Sequence, residues 1–172
     1  VRAKRPNHVW MADLTLVRGL FGLQTFHVAV ILDVFSRLPL VAEVYAKAPT
    51  SADIALLFRS AVKGFGAPVH FVTDQGVQFT GKAFTRALVR KGVIHRFGAV
   101  GCHGSIAIIE RFWLTTKTLL VLPLWKPLLA DDLERRLGAV LLFYSAHRPH
   151  SSLRGATPME VYTGTRPACR LA

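Results

Sequence analysis

Residues 27–35 read HVAVILDVF, and this dense apolar, β-branched run limits the fold more than any other stretch of the chain. A run so short and so continuous suits a strand buried on both faces, because β-branched side chains pack well on a pleated surface. It predicts a central strand, expected over Phe21–Val34. His8–Arg18 before it and Pro39–Tyr45 after it also read as strands, with Gly19 and Gly22 supplying the first turn and Ser36-Arg37 lying in the second. Three strands with short connections predict an antiparallel meander.

Beyond Tyr45 the apolar period lengthens to that of a helix. Thr50 with Asp53 has the capping-box pattern, and Ile54, Leu57, Phe58 and Val62 recur at helical spacing up to Gly64. Val69–Thr73 predicts a short strand, Thr80 the cap of a helix running through Arg90 with Gly92 as its stop, and Val93–Arg96 a fifth strand. Ser105–Leu122 predicts a long helix. After Pro123 and Pro127 another is expected over Asp131–Tyr144, boxed by Asp131 and Glu134, and Thr157, Pro158 and Glu160 announce a short terminal one. The order β-β-β-α-β-α-β-α-α predicts an α/β domain with a five-stranded mixed sheet flanked by helices. On this reading the core spans 1–125, and 126–172 form a C-terminal helix and tail packed on it or extending it.

The chain has 172 residues, 51% of them hydrophobic, enough for one domain with a sizeable core. Its 22 Lys+Arg outweigh 10 Asp+Glu, a formal charge of +12 that favours a polyanionic partner such as nucleic acid over an acidic small molecule. Cys102 and Cys169 stand alone, which suggests neither a disulfide framework nor a Cys-based zinc site and fits a reduced intracellular setting. No apolar run reaches about 18 residues and no apolar region follows the basic start, so a soluble, cytoplasmic chain is expected. It begins at Val1 without a Met and reads as a fragment or truncated frame, in which an upstream DNA-reading domain would be invisible.

With so few acidic residues, their positions are informative. Asp13 sits inside the first strand in WMADLT, Asp74 at the end of the fourth in FVTDQGVQF, and Glu110 on the long helix in SIAIIERFWLTTK. Each has apolar neighbours, among which an unpaired carboxylate is costly to bury without a partner or an ion. Two-metal cleavage of phosphodiesters needs such hard oxygen ligands, since Mg²⁺ prefers carboxylates and water. At about 100° per residue, Ile108, Phe112 and Leu119 are expected on one face of the long helix and Glu110 with Lys117 on the other. That geometry offers a carboxylate to a metal and an ammonium to a phosphate.

The segments HVWMADLT, TDQGVQF and IERFW, with 35 residues between Asp74 and Glu110, closely resemble the DDE catalytic core shared by insertion-sequence transposases and retroviral integrases. FYSAHRPHSSLRGATPMEVY is similar to the C-terminal end of the bacterial branch, so the resemblance runs from about Asn7 to Gly164. It implies a ribonuclease H-like fold. It also implies that Asp13 bridges two Mg²⁺ ions, with Mn²⁺ as a substitute, that Asp74 and Glu110 complete one site each, and that in-line displacement at phosphorus follows. The element's end is first hydrolysed and its 3′-OH is then transferred to target DNA. By the same resemblance Lys117 contacts DNA near the reactive phosphate, Gln75 and Gln78 lie in the adjoining DNA-contacting loop, and the protein works as a homodimer or larger assembly. The departure is GAVGCHGSIAI, where an Asn-Pro or Asn-Gly pair often precedes the helix.

Asp33 in ILDVFSR is the competing carboxylate, read as structural and paired with Arg37. His103, set among glycines, reads as an exposed loop histidine. His147 and His150 beside Arg148 look like a zinc or phosphate cluster, yet with no Cys partner they read as structural. Two other functions share these features. A ribonuclease H-type nuclease would use the same metals without strand transfer, and a non-catalytic remnant of a mobile element would bind nucleic acid in a salt-sensitive way without turnover.

Overall fold

The computed structural model describes residues 2–19, 24–98, 103–121 and 129–165. Strand β1 (Val9–Arg18) pairs antiparallel with β2 (Thr25–Asp33), which pairs antiparallel with β3 (Pro39–Tyr45). The expected meander is therefore present. β2 starts later than expected, and its predicted beginning at Phe21, with Gly22, lies outside the described residues. On the other side of β1, the short strands β4 (His70–Thr73) and β5 (Ile94–Phe97) add in parallel, giving a mixed sheet in the order β3-β2-β1-β4-β5.

Helices α1 (Ser51–Phe65) and α3 (Lys82–Arg90) cover one face of the sheet, where Trp10, Phe58, Phe71, Phe79 and Phe84 are completely buried. The other face is covered by α4 (His103–Val121) and α5 (Ala130–Leu142), whose Ile109, Phe112, Trp113, Leu133 and Leu137 pack on Val9, Met11, Val28, Val30 and Leu32. This alternation along β1, with Trp10 and Ala12 to one side and Val9 and Met11 to the other, is the period of two that a strand imposes.

The capping box on α1 forms as expected, with Thr50 and Asp53 bonded to each other's backbone N–H. Gly92 follows α3 at φ +67°, the left-handed position that stops a helix. Thr80 does not cap α3. Its hydroxyl donates back to the Gly76 carbonyl within a separate single turn, α2 (Val77–Thr80), and Gly81 takes the cap position. The missing acceptor comes from another helix: Ser51 Oγ at the start of α1 accepts the Phe84 N–H at 3.0 Å. A Cβ on Gly81 would lie 2.4 Å from Ser51 Cβ, so the close approach of the two helix starts requires glycine.

The Asp131–Glu134 box also fails to form. α5 begins one residue early with Leu129 as an uncapped N-cap, and the neighbouring Asp132 holds Arg136 at 2.9 Å and Arg135 at 3.6 Å. A π turn (Phe143–His147) and a 3-10 turn (Ser151–Leu153) lead to α6 (Pro158–Thr163), where the Thr157–Glu160 box and Pro158 are in place. The predicted proline-broken linker with Pro123 and Pro127 lies outside the described residues, as do Cys102 and Cys169.

Asp33 is fully buried and structural, but its carboxylate takes no hydrogen bond from the Arg37 guanidinium. Its carboxylate accepts the Asn7 N–H, the Ser36 N–H and the Ser36 hydroxyl at 2.7–2.8 Å. The Arg37 guanidinium donates instead to the Val34 carbonyl, because the tight turn brings Ser36 to the carboxylate first. Asn7 then ties this corner together. It takes φ +57°, donates to Phe65 O and Tyr162 Oη, and accepts from the Trp10 indole, anchoring α6 against β1 and α1. Among the described residues no helix is long and apolar enough to cross a membrane.

Candidate active site

Alternation along the strands decides which carboxylates can meet. Asp13 has the parity of Val9 and Met11, so it points to the α4 side of β1; Asp74 has the parity of Val72, which also packs on that side. The parallel register pairs Val9 with His70, Trp10 with Phe71 and Met11 with Val72. Continued by two residues, it sets Asp13 beside Asp74 on neighbouring chains about 4.8 Å apart. α4 crosses above them and presents Glu110. The three carboxylates line one cavity of about 260 Å³, floored by Met11, Val72 and Ile109.

Each element holds its carboxylate by a local device. The Trp113 indole N–H donates to Asp13 Oδ2 at 3.0 Å across the gap between α4 and β1. Asp74 follows the last residue of β4 and accepts the Gly76 N–H at 2.9 Å, closing the turn. A Cβ on Gly76 would meet Gln78 Nε2 at 2.3 Å, so any larger residue there would push the Gln78 side chain aside. Thr73 Oγ1 donates to the Asp74 carbonyl at 2.8 Å and lies 2.9 Å from His95 Nε2. A hydroxyl has one hydrogen, so His95 is the donor in this second bond. Burial lowers the His95 pKa, in keeping with a neutral ring.

The electrostatics are those of a site short of positive charge. Burial raises the Asp13 pKa above the ordinary carboxylate range; the Leu14 N–H and the Trp113 indole pull it back, the Asp74 carboxylate pushes it up again, and Lys117 offsets a little. Glu110 and Lys117 are both exposed, two turns apart on the same face of α4. The buried stripe of that helix differs from the expected one. It runs through Ile109, Phe112, Trp113 and Thr116, with Ile108 and Leu119 only half-buried at its margins. α4 carries apolar residues nearly all round, so periodicity alone could not choose the stripe, and the Trp113 contact with Asp13 sets the rotation.

A hard divalent cation fits this donor set in kind: carboxylate oxygens, one of them partly desolvated and facing another negative charge. Among the described residues no three His, Cys, Asp or Glu side chains already stand in one metal-holding group. Convergence of the carboxylates on ions is left to side-chain rotation, chiefly of the exposed Glu110 on α4. Gln75 is exposed and Gln78 half-buried in the turn after Asp74; neither lines the carboxylate cavity. His103 begins α4, its side chain outside the described residues. His147 stacks on Phe143, whereas His150 meets the Tyr144 ring edge-on, so the two form no joint cluster. Sequence reasoning passed over Trp113, Thr73 and His95. Trp113 alone left a trace, since it follows Glu110 by three residues and so sits one turn along the same helix.

The sheet order and its flanking helices define a ribonuclease H-like α/β domain, and solved integrase cores share it. The catalytic core of human T-cell lymphotropic virus 2 integrase, solved with magnesium, superposes with a TM-score of 0.73 at 22% identity over 94% of this chain and 99% of that one. The bovine immunodeficiency virus integrase core gives 0.72 at 21% identity, over 92% and 95%. Residues 3–102 match the integrase core domain model, and the chain belongs to that family. Relatives include the probable transposase of insertion sequence IS1353 from Shigella flexneri, 28% identical over 92% of this chain and 31% of its own length. The transposase of IS904 from Lactococcus lactis is 26% identical, over 92% and 62%. The chain thus spans 31% of the first of these relatives and 62% of the second.

Proposed function

We propose that this chain is the catalytic core of a DNA transposase that cleaves DNA and joins the freed 3′-OH to a target strand. The observation that carries the reading is the meeting of Asp13, Asp74 and Glu110 on the wall of one cavity, from two adjacent strands and a crossing helix. Membership in the integrase core family and likeness to insertion-sequence transposases support the same reaction class.

In this reading Asp13, Asp74 and Glu110 would together hold two Mg²⁺ ions, for which Mn²⁺ would substitute. When bound, the ions polarise the phosphodiester and favour the deprotonated form of the attacking hydroxyl. The chain's own part is placement. The Trp113 indole fixes the Asp13 carboxylate, the Gly76 N–H fixes that of Asp74, and α4 delivers Glu110 from above. Lys117, two turns beyond Glu110, meets a phosphate beside the reacting one, and Gln75 and Gln78 contact DNA from the adjoining turn. The formal charge of +12 supports a DNA partner. Residues 1–125 act as the core, with 126–172 a C-terminal helix and tail packed on it or extending it. The working form is a homodimer or larger assembly in the bacterial cytoplasm at the nucleoid.

Strand transfer on duplexes carrying the element's ends tests the reading. Asp74→Asn and Glu110→Gln are each expected to abolish Mg²⁺-dependent joining while leaving DNA binding intact. Unchanged joining by either variant would overturn the assignment, and hydrolysis without joining by the unaltered chain would point to a simple nuclease.

A further inference from the structure

On another flank of α4 lies a second and larger cavity, about 470 Å³, built from positive charge. Arg37 enters it from the β2–β3 turn, Arg111 from α4, and Arg148 and His150 from the segment after the π turn; Ser151 and Ser152 lie at its rim. Among the described residues no Asp or Glu lines it. Arg37, Arg111 and Arg148 have no ion-pair partner among the described residues. The buried Asp33 carboxylate acts on Arg37 from behind the cavity, but its oxygens are taken by Asn7 and Ser36, so the guanidinium groups in the lining still repel one another, and an arrangement of this kind is relieved by an anion.

The fold holds these groups in place. Arg37 sits at φ +66° in a turn closed by its own N–H on the Asp33 carbonyl at 2.9 Å, and its guanidinium is steadied by the Val34 carbonyl. Tyr144 is buried at the back of the cavity, its phenol in the field of Arg37 and Arg148. His150 rests against the Tyr144 ring at 4.6 Å, with Nε2 3.4 Å from the Tyr144 carbonyl. Burial and the adjacent arginines disfavour its protonated form, which leaves the guanidiniums as the charge-bearing donors.

We propose that this cavity binds a backbone phosphate of DNA, as a second anchoring site separate from the carboxylate cavity. Planar guanidinium forks match phosphate oxygens in pairs, and the serine hydroxyls add neutral donors. Glu110 and Arg111 are adjacent on α4, so they project about 100° apart around a helix about 10 Å wide. A strand whose reacting phosphate lies at the carboxylates therefore reaches the arginine cavity about two nucleotides further on, at about 3.4 Å of axis per nucleotide. The choice of DNA over another phosphate source rests on the proposed function above.

Equilibrium binding of a 20-base-pair duplex to the chain, in EDTA and across a salt series, tests the site without any catalytic readout. Arg111→Gln and Arg148→Gln are each expected to weaken binding about tenfold and to lower the salt slope by about one unit. Arg111→Lys recovers part of the loss, because charge returns without the planar fork. Arg90→Gln, which removes the same charge from the exposed end of α3, leaves affinity within about twofold of the unaltered chain. Arg111 is exposed on α4, so its variant keeps the test valid should Arg148→Gln perturb the turn. Binding by both cavity variants equal to that of Arg90→Gln overturns the proposal. Tight binding that depends on the arginines, in a chain that never joins strands, upholds this site and sinks the transposase reading alone. A chain that fails to bind the duplex at all sinks both.

Discussion

The sheet face beneath α1 and α3 is closed by rings: Trp10, Phe58, Phe71, Phe79 and Phe84 are all fully buried and meet edge to face at 5.4–6.4 Å. The face beneath α4 and α5 is closed mostly by aliphatic side chains of β1 and β2, and at its open end stands Asp13, held by one indole and facing Asp74. The first face also buries a carboxylate, Asp33 at the end of β2, but satisfies it with the Asn7 N–H and the Ser36 N–H and hydroxyl. The second accepts a poorly neutralised carboxylate beside its core. The contrast indicates that the aromatic face supplies rigidity that the other face draws on to hold a site at a cost in stability.

The largest effect expected from breaking this contrast is on the aromatic face. Phe71→Ala removes the ring that joins Trp10, Phe58 and Phe84 and is expected to cost about 3–5 kcal/mol, read by denaturant unfolding. Any loss of activity should follow the unfolded fraction. Asp13→Asn does the reverse: strand joining falls by about 10³-fold, or some 4 kcal/mol, through loss of an oxygen ligand, while the unfolding midpoint rises. The sign comes from the raised folded-state pKa of Asp13. Ionised Asp13 costs stability at every pH above that value, and the cost vanishes once pH falls below the ordinary carboxylate range, where both states are protonated. The gain from Asp13→Asn is therefore full at neutral pH and absent in acid. Mg²⁺ should raise the midpoint of the unaltered chain at neutral pH and leave Asp13→Asn unmoved. A lower midpoint for Asp13→Asn at pH 7 would show that the carboxylate stabilises its face.

Two smaller effects sharpen the comparison. Gly81→Ala forces a Cβ to within 2.4 Å of Ser51 Cβ, where α1 and α3 begin together. It should destabilise by about 1–3 kcal/mol through overpacking, with the specific activity of the folded fraction unchanged. Trp113→Phe keeps an aromatic six-membered ring and removes the N–H that steadies Asp13. Strand joining should fall about tenfold, the worth of one charge-assisted hydrogen bond, with little change in unfolding. If both variants moved stability and activity together, the two faces would not be separable.

Much of this division is readable in the chain. HVAVILDVF specifies a buried strand wherever it is placed, and Thr50–Asp53 and Thr157–Glu160 cap their helices because a capping box involves only residues three apart. The same local logic failed at Thr80 and at Asp131. Helix α3 takes its acceptor from Ser51, 33 residues away, and Asp132 is engaged by Arg136 and Arg135 along α5. On α4, apolar residues on nearly every side left the buried stripe undecided until Trp113 met Asp13, 100 residues earlier in the chain.

By itself, then, the sequence determined the order of the strands, the sheet meander, the capping boxes of α1 and α6 and the placement of Asp13 and Asp74 in or beside two strands and of Glu110 on a helix, because period and cap chemistry are properties of short segments. Only the tertiary structure decided that Asp13 and Asp74 share a sheet face in adjoining register, that Trp113 holds Asp13, and that Arg37, Arg111 and Arg148 close around a second cavity. Those relations depend on parallel pairing and helix rotation, which are set by contacts between residues far apart in the chain.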